Sequence, residues 1–245
     1  MGAVALTLAG DQLTWQHRQA QLQLRAATLA DLVTLWGVVD PANLPGTIGP
    51  FTSAATTVVQ ARHATSAGLA ASYFEAFRAA EGIPGRAAPR LAASLPADAA
   101  AGALRGSALA GIVNARRAGL SIEEALRQGL VRVSGQATTL VLSGGRETIL
   151  RSGAADPRRP RWARVSGGDS CAFCAMLASR GPVFRSEDTA GFEAHDHCVC
   201  EPELAYEGAG LSDRARALRD QWDEVTAGLS GRDALNAFRR ARSGG

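Results

Sequence analysis

"CAFCAMLASRGPVFRSEDTAGFEAHDHCVC", residues 171–200, contains all four cysteines of this 245-residue chain and two of its four histidines. A chain of this length can bury a core without cross-links, so cysteines confined to one segment fasten that segment and nothing else. Cys171 and Cys174 form a C-x-x-C pair, a spacing that lets two thiolates reach one ion from a tight turn. The far end of the stretch, "HDHCVC", adds His195, His197, Cys198 and Cys200. Two short Cys/His clusters separated by a loop are the arrangement of a tetrahedral zinc site, which takes four nitrogen or sulfur ligands. Cys171 and Cys174 are expected to supply two of them, and His195 with Cys198 or Cys200 the others. A full ligand set leaves no open position for water. The expected cofactor is therefore a structural zinc that holds together a small module whose inter-cluster loop is poor in apolar residues.

Other readings of the same residues are two disulfides or a catalytic thiol. Cys171 or Cys174, His195 or His197, and Asp196 or Asp169 contain the parts of a Cys/His hydrolase. A catalytic cysteine needs no three companions, however, and no βαβ pattern surrounds the C-x-x-C as a thioredoxin-like site would require. The chain is expected not to be an enzyme.

Upstream, the chain reads as helices. Leu22, Leu29, Val33, Trp36 and Val39 share one face, and Asp40-Pro41 ends that helix before "PANLPGTIGP", a loop by its Pro and Gly content. A second helix carries Val58, Thr65, Leu69, Tyr73 and Phe77 and ends near "EGIPGRAAP". A third runs from Asp98, a candidate N-cap, to Arg117. Ser121 and Glu124 make the capping box of a fourth, with a stripe of Ile122, Leu126, Leu130, Val133, Ala137 and Leu140. At Ser143-Gly144-Gly145 the texture turns Gly-rich and then basic, a candidate boundary. Beyond the cysteines, Ser212 and Asp213 are placed to cap a helix with Leu218, Trp222, Val225 and Leu229 on one face, and a short helix follows Gly231. The expected fold is mainly α: a helical domain over 1–150, a small α+β zinc-binding module over 151–210, and C-terminal helices over 211–245.

Net charge is +3, carried entirely by arginine since no lysine occurs, and the isoelectric point is about 8.9. That permits contact with nucleic acid without demanding it. The best candidate is "DPRRPRWARV", where Arg158, Arg159, Arg161 and Arg164 flank Trp162: guanidinium groups suit phosphates and an indole can stack on a base. The alternative, favoured because charge runs usually mark solvated surface, is a linker whose Trp162 packs on the next module. No signal peptide or transmembrane helix is expected, and no membrane partner.

The block "RVSGGDSCAFCAMLASRGPVFRSEDTA…HDHCVC", from Arg164 to Cys200, resembles the MuF-like minor head proteins of tailed phages, in the form found in actinobacterial phages. That family pairs a helical N-terminal region with a compact module bearing a C-x-x-C and an H-x-x-C-x-C, here Cys171, Cys174, His195, Cys198 and Cys200. Its usual last block reads His-Pro-Asn-Cys-Arg-Cys; Asp196, His197 and Val199 depart from it, and His197 adds a spare nitrogen donor. The resemblance implies a virion protein at the portal vertex or capsid interior, present in multiple copies, acting in head assembly or DNA delivery. It implies the portal or major capsid protein as partner, with packaged DNA as a further contact. Some such reading frames carry the label of capsid maturation protease. This chain offers no protease constellation, since His17 and His63 sit on helices of ordinary pattern. The stripe from Leu218 to Leu229 is the expected partner surface, with Trp222 as anchor; packing on its own helical domain is the alternative.

Overall fold

The computed structural model describes residues 7–167, 170–185 and 197–243. Four long helices form the body: α1 (Leu8–Trp36), α2 (Leu44–Ala80), α3 (Ala97–Arg117) and α4 (Ile122–Ala155). At 37 residues, α2 is about 55 Å long at 1.5 Å per residue. Capping sets the starts. Thr7 accepts from the amide of Gly10, and Asn43 from that of Gly46. Ser121 and Glu124 form the expected reciprocal box at the head of α4. Asp98 is not a cap. Pro96 holds that position without a side-chain bond, and Asp98 lies in the first turn, where its charge complements the helix dipole.

Further sequence expectations fail in the body, each for a tertiary reason. "PANLPGTIGP" is not a loop: a single 3-10 turn over Pro41–Asn43 leads directly into α2, which bends by 72° from α1. Pro45 sits in the first turn, where a missing N–H is harmless. Pro50 lies inside the helix, but the same turns bury Ile48 and Phe51 completely, and Phe51 meets Trp36 edge-on at 4.8 Å. Nor does Ser143-Gly144-Gly145 end α4. A Cβ on Gly144 would stand 2.3 Å from the carbonyl oxygen of His63, so glycine there lets α4 lie against the backbone of α2. Finally, the buried face of α1 is not the aliphatic stripe. Leu22 and Trp36 pack against the core, but Val33 is 58% exposed, and the buried positions include Thr14, His17, Arg18, Gln21 and Thr28. In α2 the buried line likewise shifts to Val59, His63 and Ala70; Tyr73 and Phe77 are buried as expected, whereas Thr65 is exposed.

The apolar centre of the body joins Leu32, Phe51, Val59, Leu104, Val133 and Val141 from all four helices. Past α4 come strand β1 (Arg161–Val165), helix α5 (Ala172–Ser179) and strand β2 (Glu201–Ala205). The strands pair antiparallel, Trp162 opposite Leu204, and Phe184 adds a bridge to Trp162. This small sheet packs on the ends of α2 and α4, where Trp162, Leu204 and Tyr206 share a cluster with Phe74, Phe77 and Ile149. Below that cluster, Arg78 of α2 pairs with Asp156, which also accepts from Tyr206 at 2.8 Å. The last helices, α6 (Asp213–Val225, capped by Ser212 as expected) and α7 (Gly231–Ser243), cover α5. The observed architecture is the mainly α fold with a small α+β module that the sequence implied.

Candidate metal centre

The cysteines come from two local structures, the head of α5 and the chain entering β2. Cys171 caps α5, its sulfur accepting from the Cys174 amide at 3.4 Å, which places Cys174 on the first turn of that helix. Cys198 and Cys200 lie on the extended chain entering β2, where alternate residues point to the same side. The sulfurs of Cys174, Cys198 and Cys200 therefore converge: 3.6 Å from Cys174 to each of the others and 2.9 Å between Cys198 and Cys200. All three side chains are buried. No disulfide joins any of the four cysteines, and 2.9 Å is far longer than the ~2.05 Å of an S–S bond. Tetrahedral zinc with bonds of about 2.3 Å places its sulfurs roughly 3.8 Å apart, close to the separations at Cys174. The donor set fits a thiophilic ion.

Cys171 is exposed and stands outside that group of three. His197, the spare donor, is exposed with φ of +64° and is not part of the group. His195, the preferred nitrogen ligand, lies outside the described residues, as do Asp169 and Asp196 of the hydrolase reading. Among the described residues the site thus offers three sulfurs, with Cys171 beside it at the head of α5.

The electrostatics distinguish the three thiols. Hydrogen bonds from Cys174 and Cys200, aided by the Arg146 guanidinium, pull the Cys198 thiol down from its ordinary value. Cys174 goes up because it donates to the other two sulfurs. At Cys200 the bond from Cys174 favours the thiolate, but the bond to Cys198 and burial outweigh it and push the thiol up to about 11. A cluster that concentrates negative charge on one sulfur beside cations is prepared to lose its remaining protons to a metal.

Three arginines surround the sulfurs; the sequence reading names Arg164 only as a nucleic-acid candidate and does not single out Arg18 or Arg146. Arg146 of α4 donates through Nε to the carbonyl of Cys200 at 3.0 Å and through Nη2 to that of Cys198 at 2.7 Å. Arg18 of α1 donates to the carbonyl of Val199 between them. Arg164 of β1 points Nη1 at the Cys200 sulfur, 3.4 Å away. All three are buried. Glu201, on the next residue, is buried as well; burial raises its carboxyl to about 7, against the opposing pull of Arg146 and Arg18. A signal for Arg146 existed: it lies four residues after Leu142 and three before Ile149, on the buried face of α4.

The structure gives the nucleic-acid candidate a different layout. Arg158, Arg159 and Arg161 are exposed, but Trp162 is 3% exposed inside the sheet cluster and has no face for a base, and Arg164 belongs to the cysteine site. Leu218, Trp222 and Val225 pack on α5 and α7, with Trp222 edge-on to Phe238 at 5.1 Å. All three are half-buried, and Leu229 stays 45% exposed. No single helix among the described residues is long and apolar enough to cross a membrane.

A four-helix body carrying a thiol-rich module that can hold a metal is the class of protein these features define. Its residues 11–225 match the family described as VG15 protein, and the chain belongs to that family, a family of viral (phage) proteins. No curated protein and no solved structure matches the chain.

Proposed function

We propose that the chain is a structural component of a phage particle: a MuF-like minor head protein seated at the portal vertex or capsid interior, in multiple copies, acting in head assembly or DNA delivery. The observation that carries the reading is membership of a phage protein family over nearly the whole chain. The Arg164–Cys200 block, which resembles the minor head proteins, narrows the role. The centre is proposed to hold one structural zinc through Cys174, Cys198 and Cys200, with Cys171 or His195 completing the tetrahedron. Zinc then fastens the turn before β2 to the head of α5. Portal or major capsid protein is the proposed partner, and Arg158, Arg159 and Arg161 are available to packaged DNA.

Purified particles are expected to contain the protein, electron microscopy to locate it at the portal vertex or inside the shell, and elemental analysis to find about one zinc per chain. Its absence from particles, or a position outside the head, defeats the proposal. The rival reading, a maturation protease or thiol hydrolase, has one favourable feature, the exposed Cys171 at the head of α5. An attacking Cys171 predicts selective alkylation with loss of a hydrolytic activity, whereas a zinc ligand predicts protection until the metal is removed.

A further inference from the structure

We infer that Arg18, Arg146 and Arg164 are positioning residues for the metal centre, so that seating of the Cys198–Cys200 turn on the helical body and capture of the ion are one coupled event. The inference rests on the reading of the cysteines as a zinc site. Its own evidence is the way the turn is held. The carbonyls of Cys198, Val199 and Cys200 are all taken by guanidinium donors that arrive from two separate body helices. Arg146 spans two of the carbonyls with its rigid fork, fixing the separation of the two residues whose sulfurs must converge. Val199 points the other way and is buried in the same cluster as Phe51, Val59 and Val141 of the body. The turn therefore faces the ion with its sulfurs and the helical core with its one apolar side chain, and neither contact forms without the other. Arg164 completes the arrangement from β1 by placing positive charge beside the Cys200 sulfur.

Groups that orient metal ligands in this way typically change metal affinity about 10- to 100-fold when replaced. The test uses the full chain, loaded with zinc or with cobalt(II) as a spectroscopic substitute, and chelator competition as the readout. Arg146→Gln is expected to weaken zinc binding about 10- to 100-fold and to speed its release, with the cobalt–thiolate bands altered. Arg146→Lys is expected not to rescue, because an ammonium cannot serve two carbonyls with planar geometry. In the unsubstituted protein, zinc is expected to slow amide exchange in α1 around Arg18 and in α4 around Arg146, far along the chain from any cysteine.

Absence of zinc from the unsubstituted protein overturns the zinc reading and this inference with it. Zinc bound normally, with affinity, release rate and cobalt spectrum unchanged in Arg146→Gln and Arg164→Gln, overturns the inference alone. If Arg146→Gln does not fold, Arg164→Gln and the zinc-dependent exchange in α1 decide it. Protection confined to residues 170–210 then refutes the coupling.

Discussion

The body of this protein has two interiors within the same four helices. Around Phe51, Val59, Leu104 and Val133 it is apolar. Nearer the cysteines, the facing positions are His17, Arg18, Gln21, Ser66 and Arg146, all buried. There Gln21 and Ser66 exchange hydrogen bonds, and Ser66 also accepts from the amide of Gly145. The first interior is held by area removed from water, which has no direction and tolerates rearrangement. The second is held by bonds whose partners come from α1, α2, α4 and the turn before β2, and each buried group left without its partner costs about 1–3 kcal/mol. The apolar half provides stability, and the polar half decides how the small module sits.

The largest expected effect breaks the first interior. Phe51→Ala removes a fully buried ring, and about 3–5 kcal/mol of stability should be lost, measured as a lowered denaturation midpoint of the whole chain. An unchanged midpoint would mean that the body does not depend on this layer.

Next comes the polar side, tested by pH. Burial raises the carboxyl of Glu203 to about 7 from 4.5. The folded state therefore binds more protons than the unfolded state between these values. The contribution is fully present below about 4.5, is lost as pH rises towards 7, and amounts to about 3 kcal/mol. Glu201 acts in the same direction. His17 acts oppositely: burial lowers it to about 4, so its contribution is present above 6.5 and is lost as pH falls towards 4. Glu203→Gln should remove one carboxylate's share of the slope, so the difference between variant and unsubstituted protein across pH 4.5–7 isolates that group. Parallel stability curves would show that Glu203 does not titrate abnormally.

A smaller effect is expected where the two helices touch. Gly144→Ala sets a methyl against the His63 carbonyl, and separating α2 from α4 should cost about 1–3 kcal/mol, seen in thermal unfolding. The smallest concerns the outer layer. Trp222→Ala loosens α6 and α7 over α5 by about 1–2 kcal/mol for a half-buried ring, raising protease sensitivity after residue 210 while leaving zinc content unchanged. Loss of zinc in that variant would show that the C-terminal helices support the metal centre after all.

Much of this was legible along the chain because it is local. The Ser121–Glu124 box, the Ser212 cap and the end of the third helix at Arg117 depend on neighbours within one turn. The meeting of Cys174 with Cys198 and Cys200 was also foreshadowed, since ligand spacing is written in the sequence, whereas Cys171 of the same C-x-x-C stands outside the group. What failed depends on partners distant in the chain. Proline and glycine read as breaks at Pro50 and Gly144, and burial of Ile48 and Phe51 in one case and contact with His63 in the other overrode them. Arg18 carried no signal of its own, and Arg164 was legible only as part of the basic run around Trp162, because an arginine on a helix or strand reads as solvated until the chain returns to cover it.

The sequence by itself determined a mainly helical chain with one thiol-rich segment, through periodicity, caps and ligand spacing, all of which act over a few residues. Only the tertiary structure decided which three sulfurs meet, that Trp162 is core rather than surface, and that the guanidinium groups of α1 and α4 hold the cysteine turn. Those contacts join residues as far apart as Arg18 and Val199, and the energy of such a bond exists only once folding has brought both partners out of water together.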